Sequence, residues 1–262
     1  MTKPAVLAIA AHPDDIELMM AGTLLRLGEA GHPLHLINIA NGCCGSMTED
    51  AEKTAARRWR EAQASAAILG ATMHAPLCND IEIFYEDSLI RKLAALVRQV
   101  QPGILLTQSP VDYMEDHTNA CRLAVTAAFV RGMPNYTSDP PLPAIAGEVT
   151  LYHALPWGLR GPLGERISAT HFVDVGPVMA RKREALAAHA SQKEWLDQTQ
   201  GLDSYLTTME DMAGKVGEMS RVFGLAEGWR KHLHLGFCGE RDDPLRDSLG
   251  DALHLLKEGE NA

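Results

Sequence analysis

The sequence predicts an α/β protein in which helices cover both faces of a mostly parallel sheet. Apolar runs of strand length alternate with segments of helical periodicity through the first half of the chain, a pattern typical of βαβ units. Glycine and proline signals stand where several of the helices should end before the next strand. After residue 131 the alternation gives way to a proline-rich stretch and later to a mostly helical segment. Together these observations predict a Rossmann-like three-layer α/β/α fold with a C-terminal helical and irregular elaboration.

The elements of the first half follow one another in a regular order. Predicted strands cover residues 5–10, 34–39, 73–77 and 104–107, and the helices after them cover 15–30, 51–69, 87–100 and 116–130. The breaks after the first three helices are Gly31-His32-Pro33, Leu69-Gly70 and Gln101-Pro102-Gly103. If the sheet has the common order 3-2-1-4, the first and fourth strands are neighbours.

The second half is less regular. Four prolines within residues 134–143 predict an irregular excursion over the surface. Strands are predicted at 149–153 and 171–175, and a long helix at 177–196; from residue 202 the chain is predicted mostly helical, with a short apolar segment at 232–237. We expect one domain over residues 1–262, with a core at about 5–196 and the elaboration at about 197–262.

Charge and composition exclude some classes of partner. The formal net charge is −10, which argues against nucleic acid or an anionic membrane, because both usually need a basic face. The N-terminal apolar run covers only residues 5–11, too few for a signal peptide or a membrane span, so we expect a cytoplasmic protein.

The five cysteines form no CxxC pair, and an odd number favours reduced thiols over a disulfide framework. Cys43 and Cys44 are adjacent and have the chemistry to bind a soft metal. Two ordinary loop or core thiols are the alternative, since no second cysteine pair accompanies them.

Two polar clusters follow predicted strands. His12-Pro13-Asp14-Asp15 stands after the first strand, and Asp112-Tyr113-Met114-Glu115-Asp116-His117 follows the fourth. Carboxyl ends of adjacent parallel strands face one crevice, so His12, Asp15 and His117 are expected to converge. Two imidazoles and a carboxylate suit zinc with a fourth position for water, although iron, manganese or cobalt would accept the same ligands.

Asp14 is then free to take a proton from that water. The alternative for Asp14 or Asp15 is a helix cap.

Several motifs together resemble the PIG-L/LmbE-like zinc-dependent N-acetylglucosaminyl deacetylases over about residues 5–196. Besides the two clusters, they are Gly22-Thr23, Arg58-x-x-Glu61 before Leu69-Gly70, and Lys182-x-x-Ala185-Leu186-x-x-His189-x-Ser191-Gln192. The resemblance implies that His12, Asp15 and His117 bind zinc and that Asp14 is the general base. It also implies a hydrolase that removes an acetyl group from a small N-acylated amino sugar, and a homo-oligomer, either a trimer or a hexamer.

One position departs from the family pattern. Many members carry a histidine three residues before the second ligand histidine, where it protonates the leaving amine or steadies the oxyanion; here that residue is Met114. Asp14 would relay the proton instead, and Tyr113 or the distant His153 would polarise the carbonyl.

Three residues are predicted to contact substrate. Arg58 falls where the family's arginine lies near substrate, with a solvated basic helix face as the alternative. Asn41 is expected on the rim of the crevice, although Asn41-Gly42 is most simply a turn, and Tyr113 lies beside the second ligand cluster. His189 is expected to be a packed or capping histidine.

Other functions remain as alternatives. A nucleotide-binding protein of this fold would need G-x-G-x-x-G at the first turn, which instead offers two carboxylates that would repel a pyrophosphate. A related amidase acting on a non-sugar or thiol-conjugate substrate stays open. So does a metal-binding homologue with little catalysis, although Asp14 would have no use in such a protein.

Overall fold

The computed structural model describes residues 3–192 and 205–256. Strands and helices alternate from the start of this range, as predicted. The strands are β1 Ala5–Ala10, β2 Leu34–Asn38, β3 Thr72–His74, β4 Pro102–Thr107, β5 Thr150–Ala154, β6 His171–Asp174, β7 Ala226–Lys231 and β8 Leu253–Leu255. The helices are α1 Asp15–Met19, α2 Ala21–Glu29, α3 Ala51–Leu69, α4 Asp87–Val100, α5 Glu115–Phe129, α6 Met179–Ala187, α7 Tyr205–Ser220 and α8 Pro244–Leu249.

The strands form one eight-stranded sheet in the order β3-β2-β1-β4-β5-β7-β6-β8. The first five strands in this order, β3, β2, β1, β4 and β5, pair in parallel. In contrast, β7 pairs antiparallel with both β5 and β6, and β8 pairs antiparallel with β6. The predicted order 3-2-1-4 is therefore confirmed, and so is the predicted three-layer fold with a mostly parallel core. β1 lies beside β4, which brings the carboxyl ends of the two strands to the same edge.

Both faces of the central strand are buried, because the side chains of β1 alternate between two cores. Val6, Ala8 and Ala10 face a core built with α2, α3, α6 and α7, whereas Leu7 and Ile9 face a core built with α4 and α5. This explains why the strand is a continuous apolar run rather than an alternating one. Among the described residues, no helix is both long and apolar enough to cross a membrane.

The predicted helix 15–30 is wrong in one respect, because it is two helices separated at Met20, whose backbone leaves the helical region (φ −132°). The carboxylate of Glu227 in β7 accepts hydrogen bonds from the backbone N–H of Gly22 (2.8 Å) and Thr23 (2.7 Å), at the N-terminus of α2. Lys182 pairs with the same carboxylate at 2.6 Å.

The glycine of the Gly22-Thr23 motif therefore has a packing role. A Cβ on Gly22 would lie 2.4 Å from Val175 and 2.9 Å from Glu227, so a side chain would separate α2 from its anchor.

The C-terminal elaboration also differs from the prediction. The helix expected at 177–196 begins with a 3₁₀ turn, Gly176–Val178, and its α-helical part ends at Ala187; residues 193–196 lie outside the described residues. The segment after residue 202 is only partly helical, since it contributes β7 and β8 to the sheet. The sequence of β7, AEGWRK, has no apolar run or clear alternation, and pairing on both sides makes it a strand.

One smaller difference lies in the third strand. β3 ends at His74 rather than residue 77, before Pro76, which has no N–H to donate to a ladder. Residues 134–143 are irregular, as predicted, and are held against α4 by the hydrogen bonds of Asp139 N–H to Arg91 O (3.1 Å) and Arg98 to Leu142 O (2.8 Å). That the chain forms a single domain stays a prediction.

Candidate metal centre and catalytic pocket

The turn between β1 and α1 separates two adjacent aspartates. Asp14 has a positive φ of 108°, an unusual conformation for a residue with a side chain, and its side chain makes no capping hydrogen bond. Asp15 instead faces back along the chain, where its Oδ2 accepts the backbone N–H of His12 at 2.8 Å. The helix-cap interpretation therefore does not hold for Asp14.

The structure brings His12, Asp15 and His117 together at the carboxyl ends of β1 and β4. Their candidate ligand atoms all lie within 4.8 Å of one another, and all three side chains are buried. His12 Nδ1 is 3.6 Å from Asp15 Oδ2, and His117 Nε2 is 3.4 Å from Asp15 Oδ1. The second of these nitrogens, His117 Nε2, is buried without a hydrogen-bond partner, as expected for an atom that would bind a cation.

A carboxylate holds the other nitrogen of each imidazole. Asp116 accepts a hydrogen bond from His12 Nε2 at 2.9 Å, and Asp112 accepts one from His117 Nδ1 at 3.0 Å. Asp116 is itself fixed by the backbone N–H of Ile81 at 2.8 Å. Such pairs set the tautomer and direction of a metal-binding histidine, so this arrangement is typical of a metal centre.

The two aspartates that orient the imidazoles belong to the second sequence cluster. The sequence alone predicts no role for them, although their positions, one and five residues before His117, were the available signal.

The electrostatics of the cluster also fit a cation. Burial lowers the pKa of His12, but hydrogen bonds to Asp116 and Asp15 outweigh burial and raise that pKa to about 10. The pKa of His117 is raised as well, since the attraction of Asp15 and Asp112 exceeds the effect of burial. Burial favours the neutral form of Asp15, yet the two histidines keep its pKa below the usual range. Positive charge is therefore stabilised here, and a divalent cation would replace the protons.

Asp14 lies beside this cluster, and two side chains bind its carboxylate. Its Oδ2 accepts the hydroxyl of Tyr205 at 2.6 Å, and its Oδ1 lies 3.5 Å from Arg58 Nη2. Burial raises the pKa of Asp14, and the charge of Arg58 opposes that rise. Tyr205 lies in α7, in the C-terminal elaboration, and no motif or spacing in the sequence marks it as a site residue.

Arg58 points inward, so the solvated-face alternative is wrong. The side chain is 3% exposed, and it donates to Pro13 O at 2.5 Å and to Gly42 O at 3.2 Å. A Cβ on Gly42 or Gly45 would lie 2.6 Å from it, which shows how closely this loop covers the guanidinium. Arg58 thus supports Asp14 and the loop after β2, and those contacts already use several of its donors.

A cavity of about 560 Å³ opens over the cluster. His12, Asp14, Asp15 and His117 all line it. Arg58 and Tyr113, two of the predicted substrate contacts, are also part of the lining, and Tyr113 is 59% exposed with its ring edge-on to His117. The rest of the lining includes an apolar group of side chains: Leu18, Met19, Ile81, Met114, Leu155 and Trp157.

Two other predicted residues lie outside this lining. The amide of Asn41 donates to Asn79 at 2.8 Å, and Asn41 is not a lining residue of the cavity. His153 uses both ring nitrogens, towards Gln108 O (3.0 Å) and His232 (2.9 Å), and is also absent from the lining. Polarisation of a substrate carbonyl by His153 is therefore not supported, which leaves Tyr113 as the candidate.

The remaining motif residues join elements behind the cavity. Glu61 of α3 accepts the backbone N–H of Ser191 (3.0 Å) and its hydroxyl (2.5 Å). His189 is buried with Nε2 3.3 Å from Glu17 Oε1, as expected for a packed histidine. These contacts fasten the segment after α6 to α1 and α3.

Comparison with known proteins agrees with the fold and the motifs. The family model described as PIG-L: GlcNAc-PI de-N-acetylase matches residues 7–129. The chain is 29% identical to a diacetylchitobiose deacetylase of Thermococcus kodakarensis, over 71% of this chain and 69% of the relative. It is 28% identical to a 4-oxalmesaconate hydratase of Pseudomonas putida, over 72% and 74% respectively.

A solved structure of N,N'-diacetylchitobiose deacetylase from Pyrococcus horikoshii has the same fold. It superposes with a TM-score of 0.73 at 24% identity, covering 88% of this chain and 85% of that one. Residues 7–129 therefore match a PIG-L (GlcNAc-PI de-N-acetylase) family domain, and the ordered motifs and the shared fold agree with that match.

Proposed function

We propose that this protein is a zinc-dependent hydrolase that removes an acetyl group from the nitrogen of an amino-sugar derivative. The observation that carries the proposal is the buried His12, Asp15 and His117 cluster with the separate carboxylate of Asp14, all lining one cavity. The deacetylase relative of Thermococcus kodakarensis supports the type of reaction.

Zinc fits the donor set, since two neutral imidazoles and one carboxylate leave a fourth position open. When bound by these three residues, zinc would supply a Lewis acid for the amide carbonyl and lower the pKa of water. Asp112 and Asp116 keep the ligating nitrogens of His117 and His12 aimed at one point.

Asp14 is the general base of the proposed reaction. It lines the cavity, and the hydroxyl of Tyr205 and the charge of Arg58 fix the direction of its carboxylate. Each carboxylate oxygen has more than one lone pair, so these contacts leave Asp14 able to accept a proton from the attacking water. Its raised pKa improves its basicity relative to an exposed aspartate.

The same carboxyl group then delivers that proton to the leaving nitrogen. Met114 lines the cavity at the position of the family's acid histidine, and a thioether has no proton to give. Asp14 is buried beside the metal ligands, whereas Glu115, which also lines the cavity, is exposed. A single group that accepts and returns the proton is chemically sufficient.

The charge of the cavity favours a neutral substrate. Asp14, Asp15, Asp80, Asp112 and Glu115 line it, against the guanidinium of Arg58, which is bonded to main-chain carbonyls. Even with a divalent cation present, a phosphate or carboxylate on the substrate would meet excess negative charge. We therefore propose a neutral N-acetylated sugar, with Tyr113 packing against it at the mouth of the cavity, and we leave Asn41 out of the substrate site.

The test is acetate release by the zinc-loaded protein from N-acetylglucosamine and N,N'-diacetylchitobiose, with the free amine measured in parallel. We expect equal amounts of acetate and amine, and release at least about 100-fold slower by Asp14→Asn protein with the same zinc content. A metal-loaded protein that releases neither product from any N-acetyl sugar would contradict the proposal. Activity confined to peptides would point to an amidase, and water addition to an unsaturated acid to a hydratase.

A further inference from the structure

The loop after β2 places a pair of thiols at the edge of the same cavity. Cys43 Sγ and Cys44 Sγ are 3.9 Å apart, and a carboxylate oxygen of Asp80 lies within 4.8 Å of both sulfur atoms. Cys44 is exposed and lines the cavity, as does Asp80. Cations in solution can therefore reach the group.

Hydrogen bonds hold the Asp80 carboxylate and the backbone of the cysteine loop in place. Asp80 is buried, and its two oxygens accept the backbone N–H of Gly42 (2.6 Å) and of Cys44 (2.9 Å). The backbone N–H of Cys43 is bonded to Asn41 Oδ1 at 3.1 Å, and Arg58 fills the space beneath the loop. Each oxygen of Asp80 keeps a lone pair for a further partner, so the hydrogen bonds orient the carboxylate without using it up.

The spacing of the sulfur atoms matches a tetrahedral metal. Two thiolates bound at about 2.3 Å to one tetrahedral zinc ion lie about 3.8 Å apart, and the observed separation is 3.9 Å. A joined disulfide would need the sulfur atoms to move to about 2.05 Å. The pair can therefore share one ion without such a movement.

Burial and nearby negative groups disfavour a free thiolate at Cys44. Burial, then Cys43, Asp80 and Asp116, raise the pKa of the Cys44 thiol. A thiophilic cation displaces thiol protons when it binds and so removes this penalty.

We propose that Cys43, Cys44 and Asp80 form a second metal site, for a thiophilic divalent cation such as Zn²⁺ or Cd²⁺, with water from the cavity as the fourth ligand. This site is separate from the His12, Asp15 and His117 cluster and does not depend on the proposed hydrolysis. Asp80 and Ile81 connect the two, because Ile81 N–H is bonded to the Asp116 carboxylate that orients His12.

The test is a titration of reduced, metal-free protein with Cd²⁺, followed by its thiolate-to-metal absorption and by the bound metal per chain. In a His117→Ala background, which disables the first site, we expect one Cd²⁺ per chain with the absorption band. Adding Cys44→Ser or Cys43→Ser removes one thiolate ligand and should abolish the band. It should also weaken Cd²⁺ binding at least tenfold, which corresponds to about 1.4 kcal/mol of binding free energy.

Cys238→Ser in the same background is the matched control, because Cys238 is a partly buried cysteine that is not part of the cluster. It should leave the band and the stoichiometry unchanged. No band in the His117→Ala protein, a band that survives Cys44→Ser, or recovery of Cys43 and Cys44 as a disulfide from the Cd²⁺-treated reduced protein would each overturn the second site.

Discussion

The candidate metal ligands follow the parallel strands β1 and β4, whereas α7 and the antiparallel strand β7 contact and support the residues around the site. His12, Asp15 and His117 all lie within residues 7–129, the part that matches the family model. Tyr205 and Glu227 lie outside that match, yet the first contacts Asp14 and the second caps α2. The motif residues therefore depend on a segment that carries no motif of its own.

The largest expected effect concerns Glu227. Glu227→Gln removes the charge that compensates the buried Lys182, so we expect a loss of about 3–5 kcal/mol in the free energy of unfolding. Glu210→Gln is the control, since Glu210 pairs with Arg183 on the surface (2.9 Å) and should matter by no more than about 1 kcal/mol. Urea unfolding measures both variants; equal losses would show that β7 does not anchor α2.

The second effect is on catalysis from the motif-bearing half. Asp14→Asn keeps the shape of the side chain but removes the base, so kcat should fall by about 100-fold or more while zinc content is retained. Asn79→Asp, a change in the loop outside the cavity lining, is the control for altered charge. Parent-level turnover by Asp14→Asn would reduce Asp14 to a structural residue.

The contact between the two regions is expected to be sensitive to pH. His153 of β5 pairs in register with Arg230 of β7 and is bonded to His232, and burial lowers its pKa to about 4. The folded protein favours neutral His153, so below pH 6.5 the unfolded chain binds the extra proton and stability falls. From pH 7 to pH 5 this group alone should cost about 2 kcal/mol.

The measurement is the unfolding free energy of the wild type and of His153→Gln across this pH range. Since other groups titrate in both proteins, the difference between their slopes isolates His153. Parallel slopes would contradict the assignment.

A smaller effect is expected from the C-terminal side of the site. Tyr205→Phe removes one hydrogen bond to the Asp14 carboxylate, which should lower kcat about tenfold, or about 1.4 kcal/mol, without loss of zinc. Tyr136→Phe removes an exposed hydroxyl bonded to Asp87 and should leave kcat unchanged. Equal kcat in the two variants would mean that α7 does not position the base.

The elements that depend on local sequence patterns could be predicted from the sequence. The alternation of apolar runs and helical patterns predicts β1 to β4, and their order places His12 beside His117 because adjacent parallel strands end at one edge. The sequence alone does not show whether Arg58 points into the site or lies on a solvated helix face, because helix periodicity does not reveal which carbonyls a guanidinium will contact.

The missed features depend on contacts distant in the chain. The break at Met20 coincides with capping of α2 by Glu227, and Tyr205 reaches Asp14 across 191 positions of sequence. β7 is a strand through its pairing partners rather than its residue pattern. No local propensity encodes such contacts, so they emerge only when the sheet is assembled.

We propose that His12, Asp15 and His117 bind one metal ion. The most direct test of this proposal is the zinc content of protein purified without added metal, determined in a Cys44→Ser background that lacks the proposed second site. We expect one zinc per chain in Cys44→Ser and none in Cys44→Ser/His117→Ala, with both proteins folded by circular dichroism. Equal zinc content in the two proteins would contradict it.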